Sequence, residues 1–300
     1  MQLPSLIFID GGDPAETIQA DHMLKQAGLP GIGGQTTNPT LVAKNPEIQK
    51  YLASGKKLTH EEALAEYKKI ILSVARVTSG PISIQVIGDQ ATGQEELLRQ
   101  ARVYKDWIPN GVVKFPLTGN GLAAAEIFCQ EWSVNITLNF SQEQAAAVYM
   151  ATRKSFDKLR TSSFDSAQAK HRVFISPFVG RLDDRGENGM QVVENETKMY
   201  GAGDHHVEIL TASLRKLDHL LYGLQLKSPA ITLPFKIFED WANVGFGMPP
   251  ESYEYDKGTL IDIPYREIPL NQDWRSYNIQ HDLTDKGLKK FMEDWNSLIK

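Results

Sequence analysis

Eight short apolar runs, rich in β-branched and aromatic residues, recur along the chain, and they constrain its fold more than any other feature. The runs cover residues 5–10, 31–37, 82–87, 112–116, 134–138, 173–179, 207–213 and 230–235. Most gaps between them carry apolar residues at helical spacing, in the stretches 61–77, 95–107, 121–132 and 142–159. Strands that alternate with helices indicate an α/β protein built from parallel βαβ units. Eight such units in 300 residues predict a closed (β/α)8 TIM barrel.

A doubly wound open sheet is the alternative, but no Gly-x-Gly-x-x-Gly turn follows the first strand. We expect one barrel domain over residues 1–248, with a polar, exposed loop at 161–171. Residues 249–274 are rich in Pro, Tyr and Asp and predict an irregular excursion, followed by an amphipathic helix at 284–299. This extension, 249–300, is expected to pack on the barrel or on a neighbouring subunit. The sequence leaves both open, with a homo-oligomer as one outcome.

Composition excludes several classes of function. The net charge of −5 and the pI near 5.8 argue against a nucleic-acid partner, because proteins that bind nucleic acid usually carry a basic face. No apolar run is long enough to cross a bilayer, and the start of the chain lacks the features of a secretory signal. The single cysteine, Cys129, cannot form an internal disulfide and is expected to be buried by packing. The cytoplasm is the expected location.

Lys114 lies inside the apolar run Val112-Val113-Lys114-Phe115-Pro116. A lysine on a buried strand leaves water, which disfavours the ammonium form and lowers its pKa. A neutral amine is a nucleophile that can form a Schiff base with a carbonyl. The alternative is an edge strand whose lysine reaches solvent.

Polar residues also stand near the carboxyl ends of the other strands, where barrel enzymes hold their active sites. They are Asp10, Thr37, Asn38, Gln85, Asn135, Thr137, Ser176, Ser213 and Arg215. Buried polar atoms need partners, so groups on this many strands are expected to meet in one network. A network around a buried lysine suits Schiff-base carbon–carbon chemistry.

Six segments, one on each of six strands, resemble the transaldolase family, whose members are Schiff-base enzymes on a (β/α)8 barrel. The segments are Ile9-Asp10-Gly11-Gly12-Asp13, Gln35-Thr36-Thr37-Asn38-Pro39-Thr40-Leu41, Val113-Lys114-Phe115-Pro116, Asn135-Ile136-Thr137-Leu138-Asn139-Phe140-Ser141, Ile175-Ser176-Pro177-Phe178-Val179-Gly180-Arg181 and Thr211-Ala212-Ser213-Leu214-Arg215. The resemblance runs from Ile7 to Phe235, and the terminal helix is similar too.

The resemblance implies catalytic roles for Lys114, which forms the imine, and Asp10, which takes a proton from the donor's C4 hydroxyl. Thr137 and Gln85 would hold a catalytic water. For Asp10 the alternative is a cap or turn residue before Gly11-Gly12.

The resemblance also implies a substrate site. Asn38, Asn135, Ser176 and Phe178 would surround the dihydroxyacetone unit, and a second group, Arg181, Ser213 and Arg215, would bind phosphate. Planar guanidinium groups bind phosphate through paired, charge-assisted hydrogen bonds. The alternative for Arg181 is a surface salt bridge with Asp183 or Asp184.

Gln85 departs from the transaldolase pattern, which has glutamate at this position as general acid/base. Related fructose-6-phosphate aldolases have glutamine there, but pair it with a tyrosine where this chain has Phe178. The first interpretation is therefore a transaldolase of the pentose phosphate pathway that acts on sugar phosphates. The alternatives are an aldolase that releases free dihydroxyacetone and an inactive sugar-phosphate-binding barrel. No metal or organic cofactor is implied, because the lysine is itself the electron sink.

Overall fold

Eight parallel strands close into one barrel in which each strand pairs with the next along the chain and the eighth pairs with the first. The computed structural model describes residues 3–161 and 171–300. The strands are β1 (Leu6–Asp10), β2 (Gly34–Thr36), β3 (Ile82–Gln85), β4 (Gly111–Pro116), β5 (Val134–Asn139), β6 (Val173–Pro177), β7 (Val207–Thr211) and β8 (Ala230–Leu233). The predicted (β/α)8 barrel is confirmed.

Helices follow every strand within the described ranges. They are α1 (Pro14–Gln26), α2 (Pro39–Ala43), α3 (Pro46–Ala53), α4 (His60–Val74), α5 (Gln94–Tyr104), α6 (Gly119–Phe128), α7 (Gln142–Thr161), α8 (Val179–Asp183), α9 (Gly189–Gly201), α10 (Leu217–Gln225), α11 (Phe235–Asn243) and α12 (Asp282–Leu298). Asp13, Asn38 and Asn45 cap α1, α2 and α3, and a proline follows each cap. These local signals start α1 and α2 soon after β1 and β2 end, and start α3 soon after α2 ends.

Six of the eight predicted strands extend beyond the observed ones by one to four residues, and three cases show this most clearly. The run 31–37 forms a strand only at Gly34–Thr36, β6 ends at Pro177, and Phe235 begins α11. Pro177 and Pro234 have no backbone N–H to donate near two of these ends, and an apolar pattern alone does not place the end of a strand. The predicted loop at 161–171 lies almost wholly outside the described residues.

Aromatic and aliphatic side chains fill the barrel interior. One buried cluster there includes Phe8, Val112, Phe174, Leu210 and Ala230. The rings of Phe8 and Phe174 meet edge to face, with centroids 6.3 Å apart. Strand side chains alternate between faces, so residues two positions further along point into the same interior. Asp10, Lys114 and Ser176 are two positions beyond Phe8, Val112 and Phe174. A polar layer therefore lies above the apolar layer, toward the carboxyl ends of the strands.

The terminal helix α12 packs on the barrel of its own chain. Thr284 donates a hydrogen bond to the carbonyl oxygen of Leu138, at the end of β5, over 2.9 Å. Thr40 of α2 donates to Asp294 over 2.5 Å. The excursion before α12 runs beside α9, where the backbone N–H of Asn188 donates to Ile261 over 2.8 Å. The division into domains at residue 248 stays a prediction.

Two further features are the burial of the single cysteine and the length of the helices. Cys129 is buried at the end of α6, as expected. Among residues 3–161 and 171–300, no helix is long and apolar enough to cross a membrane.

Candidate active site

Lys114 is buried in the middle of β4, with 2% of its surface exposed. Its Nζ donates to the backbone oxygen of Thr37 over 3.2 Å and lies 5.8 Å from the ring centroid of Phe178. The pKa of Lys114 is lowered to about 8, mainly by burial; Asp10 acts against this shift, and Arg181 adds to it. About a tenth of this lysine is therefore a neutral amine at pH 7, far more than for a solvated lysine.

Gln85, Lys114 and Asn135 form one row across three neighbouring strands. Lys114 is the register partner of Gln85 on β3 and of Asn135 on β5. Register partners on parallel strands point to the same face, so both amides flank the lysine. Asn135 is itself fixed: its Nδ2 donates to Ser83 over 3.0 Å, and its Oδ1 accepts from Ser176 over 2.8 Å.

Asp10 ends β1 at the same level of the barrel. Its Oδ1 accepts a hydrogen bond from Thr36 over 2.7 Å, and Thr36 also bonds Thr232 on β8. Burial raises the pKa of Asp10, and the charges of Lys114 and Arg215 and the Thr36 hydrogen bond partly offset this rise. Asp10 and Lys114 thus influence each other's protonation across the barrel mouth.

Two side-chain oxygens beside the lysine have no hydrogen-bond partner among the described residues. They are Oε1 of Gln85 and Oγ1 of Thr137, both buried. Buried polar atoms rarely stay unpaired, so both are available to bind water or substrate. Asn38 is partly committed, because its Oδ1 caps α2 by accepting from the N–H of Leu41 over 3.0 Å.

Arg181 extends from α8 between two aromatic rings. Its guanidinium carbon lies 5.6 Å from the ring centroid of Phe178 and 5.5 Å from that of Phe291 on α12. It makes no salt bridge within residues 3–161 and 171–300, so the alternative prediction of a surface pair with Asp183 or Asp184 is wrong. Asp183 pairs instead with His219, and Asp184 with Arg215. The guanidinium of Arg181 remains available for an anion.

Ser213 and Arg215 form the turn after β7. Nη1 of Arg215 donates to the Oγ of Ser213 over 3.1 Å, and Nη2 lies 3.0 Å from Asp184. Burial lowers the pKa of Arg181, and the like charge of Arg215 nearby lowers it further. Two neighbouring guanidinium groups and a hydroxyl can bind a phosphate group. In the part of the chain that the structure describes, no three His, Cys, Asp or Glu side chains are grouped as a metal site requires.

The comparison with protein families agrees with this geometry. The family model described as "Transaldolase/Fructose-6-phosphate aldolase" matches residues 7–300. The chain belongs to this family.

Curated relatives of this family match nearly the whole chain. One, "Probable transaldolase" from Alkaliphilus metalliredigens, is 28% identical over 98% of this chain and 99% of its own length. Another, "Probable transaldolase" from Bdellovibrio bacteriovorus, is 29% identical over 92% of this chain and 94% of its own. A solved fructose-bisphosphate aldolase from Campylobacter jejuni gives a TM-score of 0.44 at 11% identity, over 97% of this chain and 89% of its own, which is too low to carry an argument. The protein is thus an enzyme of the transaldolase and aldolase type.

For this transaldolase-family chain, the structure brings the predicted site residues to one end of the barrel. Three supporting residues were not predicted: Ser83, Thr36 and Tyr67. The Tyr67 hydroxyl, on α4, accepts the backbone N–H of Gln85 over 2.8 Å and bonds the Thr37 hydroxyl over 2.7 Å. A polar residue inside an apolar strand could have indicated Ser83. Tyr67 occupies an ordinary apolar position of an amphipathic helix, and no local signal distinguishes it.

Proposed function

We propose that the protein is a transaldolase, which moves a dihydroxyacetone unit from fructose 6-phosphate or sedoheptulose 7-phosphate to an aldose phosphate. One observation carries this proposal: a buried lysine, with a pKa of about 8, stands between two amides in the barrel interior. Such a lysine is a nucleophile near neutral pH, and its imine is an electron sink. The pathway that this reaction serves would be the pentose phosphate pathway.

In the proposed mechanism the neutral amine of Lys114 adds to the C2 carbonyl of the ketose phosphate. The carbinolamine loses water to give a protonated imine. The C3–C4 bond then breaks, and its electron pair moves into an enamine on Lys114. Asp10 takes the proton of the C4 hydroxyl, and the leaving fragment becomes an aldehyde. The raised pKa of Asp10 makes its carboxylate a stronger base than that of a solvated aspartate.

The enamine would be held by the polar row around the lysine. Asn135, whose amide is fixed by Ser83 and Ser176, would bond the hydroxyl groups of the three-carbon unit. Asn38 would add its amide N–H groups, and Phe178 would cover the imine. The acceptor aldehyde adds to C3, Asp10 returns its proton, and water hydrolyses the imine to free Lys114.

Water in these steps would be held by Gln85 and Thr137, whose unpartnered oxygens flank the lysine strand. Glutamine accepts a hydrogen bond from water but does not exchange a proton at pH 7. Gln85 is therefore proposed to orient the water. Among the catalytic residues proposed here, only Asp10 and Lys114 would move protons.

The donor's phosphate would lie against Arg181, Ser213 and Arg215. Charge-assisted hydrogen bonds to phosphate are about twice as strong as neutral ones. Loops after the late strands are also the usual phosphate position in such barrels.

The aldolase reaction is the second candidate, and Gln85 favours it. In that reaction water, and not an aldose, resolves the enamine, and free dihydroxyacetone is released. Phe178, where such aldolases would have a tyrosine hydroxyl, supports the transaldolase.

One assay separates the two: release of glyceraldehyde 3-phosphate from fructose 6-phosphate, with and without erythrose 4-phosphate. Release that requires the acceptor supports the transaldolase, and comparable release without it supports the aldolase. Borohydride added with fructose 6-phosphate should fix a three-carbon adduct on Lys114, located by peptide mass mapping. An adduct on another lysine, or none, would overturn both.

A further inference from the structure

We propose that His219 is a positioning residue that holds the backbone of Arg215, and with it the guanidinium group, in the anion site at the barrel mouth. This inference rests on the phosphate site of the proposed function. His219 lies on α10 and is completely buried, with 0% of its surface exposed.

Both ring nitrogens of His219 have a defined partner. The backbone N–H of Arg215 donates to Nδ1 over 3.1 Å, and Nε2 lies 2.8 Å from the Oδ2 of Asp183. Because Nδ1 accepts a hydrogen bond, the ring proton is on Nε2 and points at the carboxylate. The other oxygen of Asp183 accepts the N–H of Gly189 over 2.9 Å. Asp183 thus fixes both the tautomer and the orientation of the ring.

The turn that carries Arg215 needs such support. Ser213 has a φ of 62°, in the left-handed region, and β7 has already ended at Thr211. A residue without glycine's freedom in that region stays there only when its surroundings hold it. On one side Gly180 donates its N–H to Ser213 over 3.0 Å, and a Cβ at Gly180 would lie 2.2 Å from the same carbonyl oxygen. On the other side His219 binds the N–H of Arg215.

The Asp183–His219 pair also joins the two arginines of the site. Asp183 is the last residue of α8, two residues after Arg181. His219 lies in the first turn of α10, four residues after Arg215. The two guanidinium groups carry like charges and repel each other; burial lowers the pKa of Arg181, and the charge of Arg215 lowers it further. A buried pair between their two segments keeps them together when no anion is present.

Two substitutions test the two hydrogen bonds of the His219 ring separately. His219→Asn places an amide oxygen near Nδ1 and keeps an acceptor for Arg215, but its side chain is too short to reach Asp183. His219→Gln keeps a donor near Nε2 for Asp183 and loses the acceptor. His206→Gln is the control, since His206 is another buried histidine paired with an aspartate, directly before β7 at the opposite end of the barrel.

Binding of inorganic phosphate, measured by calorimetry, is the first measurement. We expect His219→Gln to weaken it about tenfold, because a buried N–H at Arg215 loses its acceptor. His219→Asn should recover most of the affinity, and His206→Gln should leave it unchanged. For fructose 6-phosphate, KM should rise most in His219→Gln, less in His219→Asn and not in His206→Gln. Trapping of free dihydroxyacetone on Lys114 should continue in all three variants.

Equal losses in both His219 variants, an equal loss with free dihydroxyacetone, or no phosphate binding in the unmodified protein would overturn the inference. Failure of the Lys114 adduct in the unmodified protein would instead overturn the proposed function. Because phosphate binding is measured without turnover, the two failures are distinguishable.

Discussion

The guanidinium of Arg215 is bound to the carboxylate of Asp184, with Nη2 3.0 Å from Oδ2, so an arginine of the proposed phosphate site already has an anionic partner. Both side chains are substantially exposed, at 43% and 59%. An exposed pair of this kind contributes about 0–1 kcal/mol, which a phosphate dianion can replace. Asp184 would therefore compete with a bound phosphate for Arg215.

Replacing Asp184 with Asn should improve binding of phosphorylated donors. Loss of the competing carboxylate corresponds to a decrease in KM of up to about fivefold, with KM for free dihydroxyacetone unchanged. Steady-state kinetics on both substrates would measure this. The matched control is Asp240→Asn, which breaks an exposed pair with Lys236 on α11. An increase in KM would show that Asp184 orients Arg215 and does not compete.

Arg181→Ala should act in the opposite direction. A charge-assisted hydrogen bond lost to alanine is expected to raise KM for fructose 6-phosphate about tenfold or more. Free dihydroxyacetone lacks the phosphate, so its kinetics should change little. Equal effects on both substrates would mean that Arg181 supports the site through its contacts with Phe178 and Phe291.

Schiff-base formation should rise with pH. Only the neutral amine attacks a carbonyl, and the pKa of Lys114 is about 8. About a tenth of the lysine is therefore neutral at pH 7, and the rate should climb through a midpoint near pH 8. Single-turnover borohydride trapping of dihydroxyacetone from pH 6 to 9.5 would record the curve. A rate that keeps rising toward pH 10.5 would show that the lysine is solvated.

Tyr67→Phe should destabilise the fold near the site. The substitution leaves the buried N–H of Gln85 without its partner, at a cost of about 1–3 kcal/mol. Urea denaturation would measure the loss. Tyr104→Phe is the control, because Tyr104 packs against Tyr67 and its hydroxyl makes a long bond, 3.4 Å, to Gln100. Similar losses in the two variants would assign the effect to ring packing.

Glu196→Gln should stabilise the protein near neutral pH. Glu196 on α9 is completely buried and accepts a hydrogen bond from Asn139, and burial raises its pKa from 4.5 to about 8. The folded state keeps the proton that the unfolded state loses above pH 4.5, so stability should fall as pH rises from about 4.5 to about 8.

Glutamine removes this penalty, for a gain of up to about 3 kcal/mol at pH 7. Thermal unfolding between pH 5 and 8 would show a flatter pH dependence in the variant. The control is Glu194→Gln, an exposed position on the same helix. An unchanged pH dependence in Glu196→Gln would mean that this carboxyl is ionised in the folded protein.

The barrel and most of its site residues were readable from local pattern. Apolar runs define strands, and a polar residue inside such a run has few places to point except the interior. The positions of Asp10, Gln85, Lys114 and Asn135 along their strands therefore predicted that they would meet. Strand ends were less accurate, as at β2 and β6, because they depend on hydrogen bonds to neighbouring strands.

The pairings around these residues were decided only by tertiary structure. The sequence suggested that Asp183 or Asp184 would pair with Arg181, their neighbour in the chain. In the fold, Asp183 instead pairs with His219, 36 residues away, and Asp184 pairs with Arg215, 31 residues away. The sequence likewise predicts only a core position for Tyr67. Its hydrogen bond with Gln85 depends on the packing of α4 on β3. A side chain's partner depends on which segments the closed barrel brings together, and residue spacing along one segment carries no information about that.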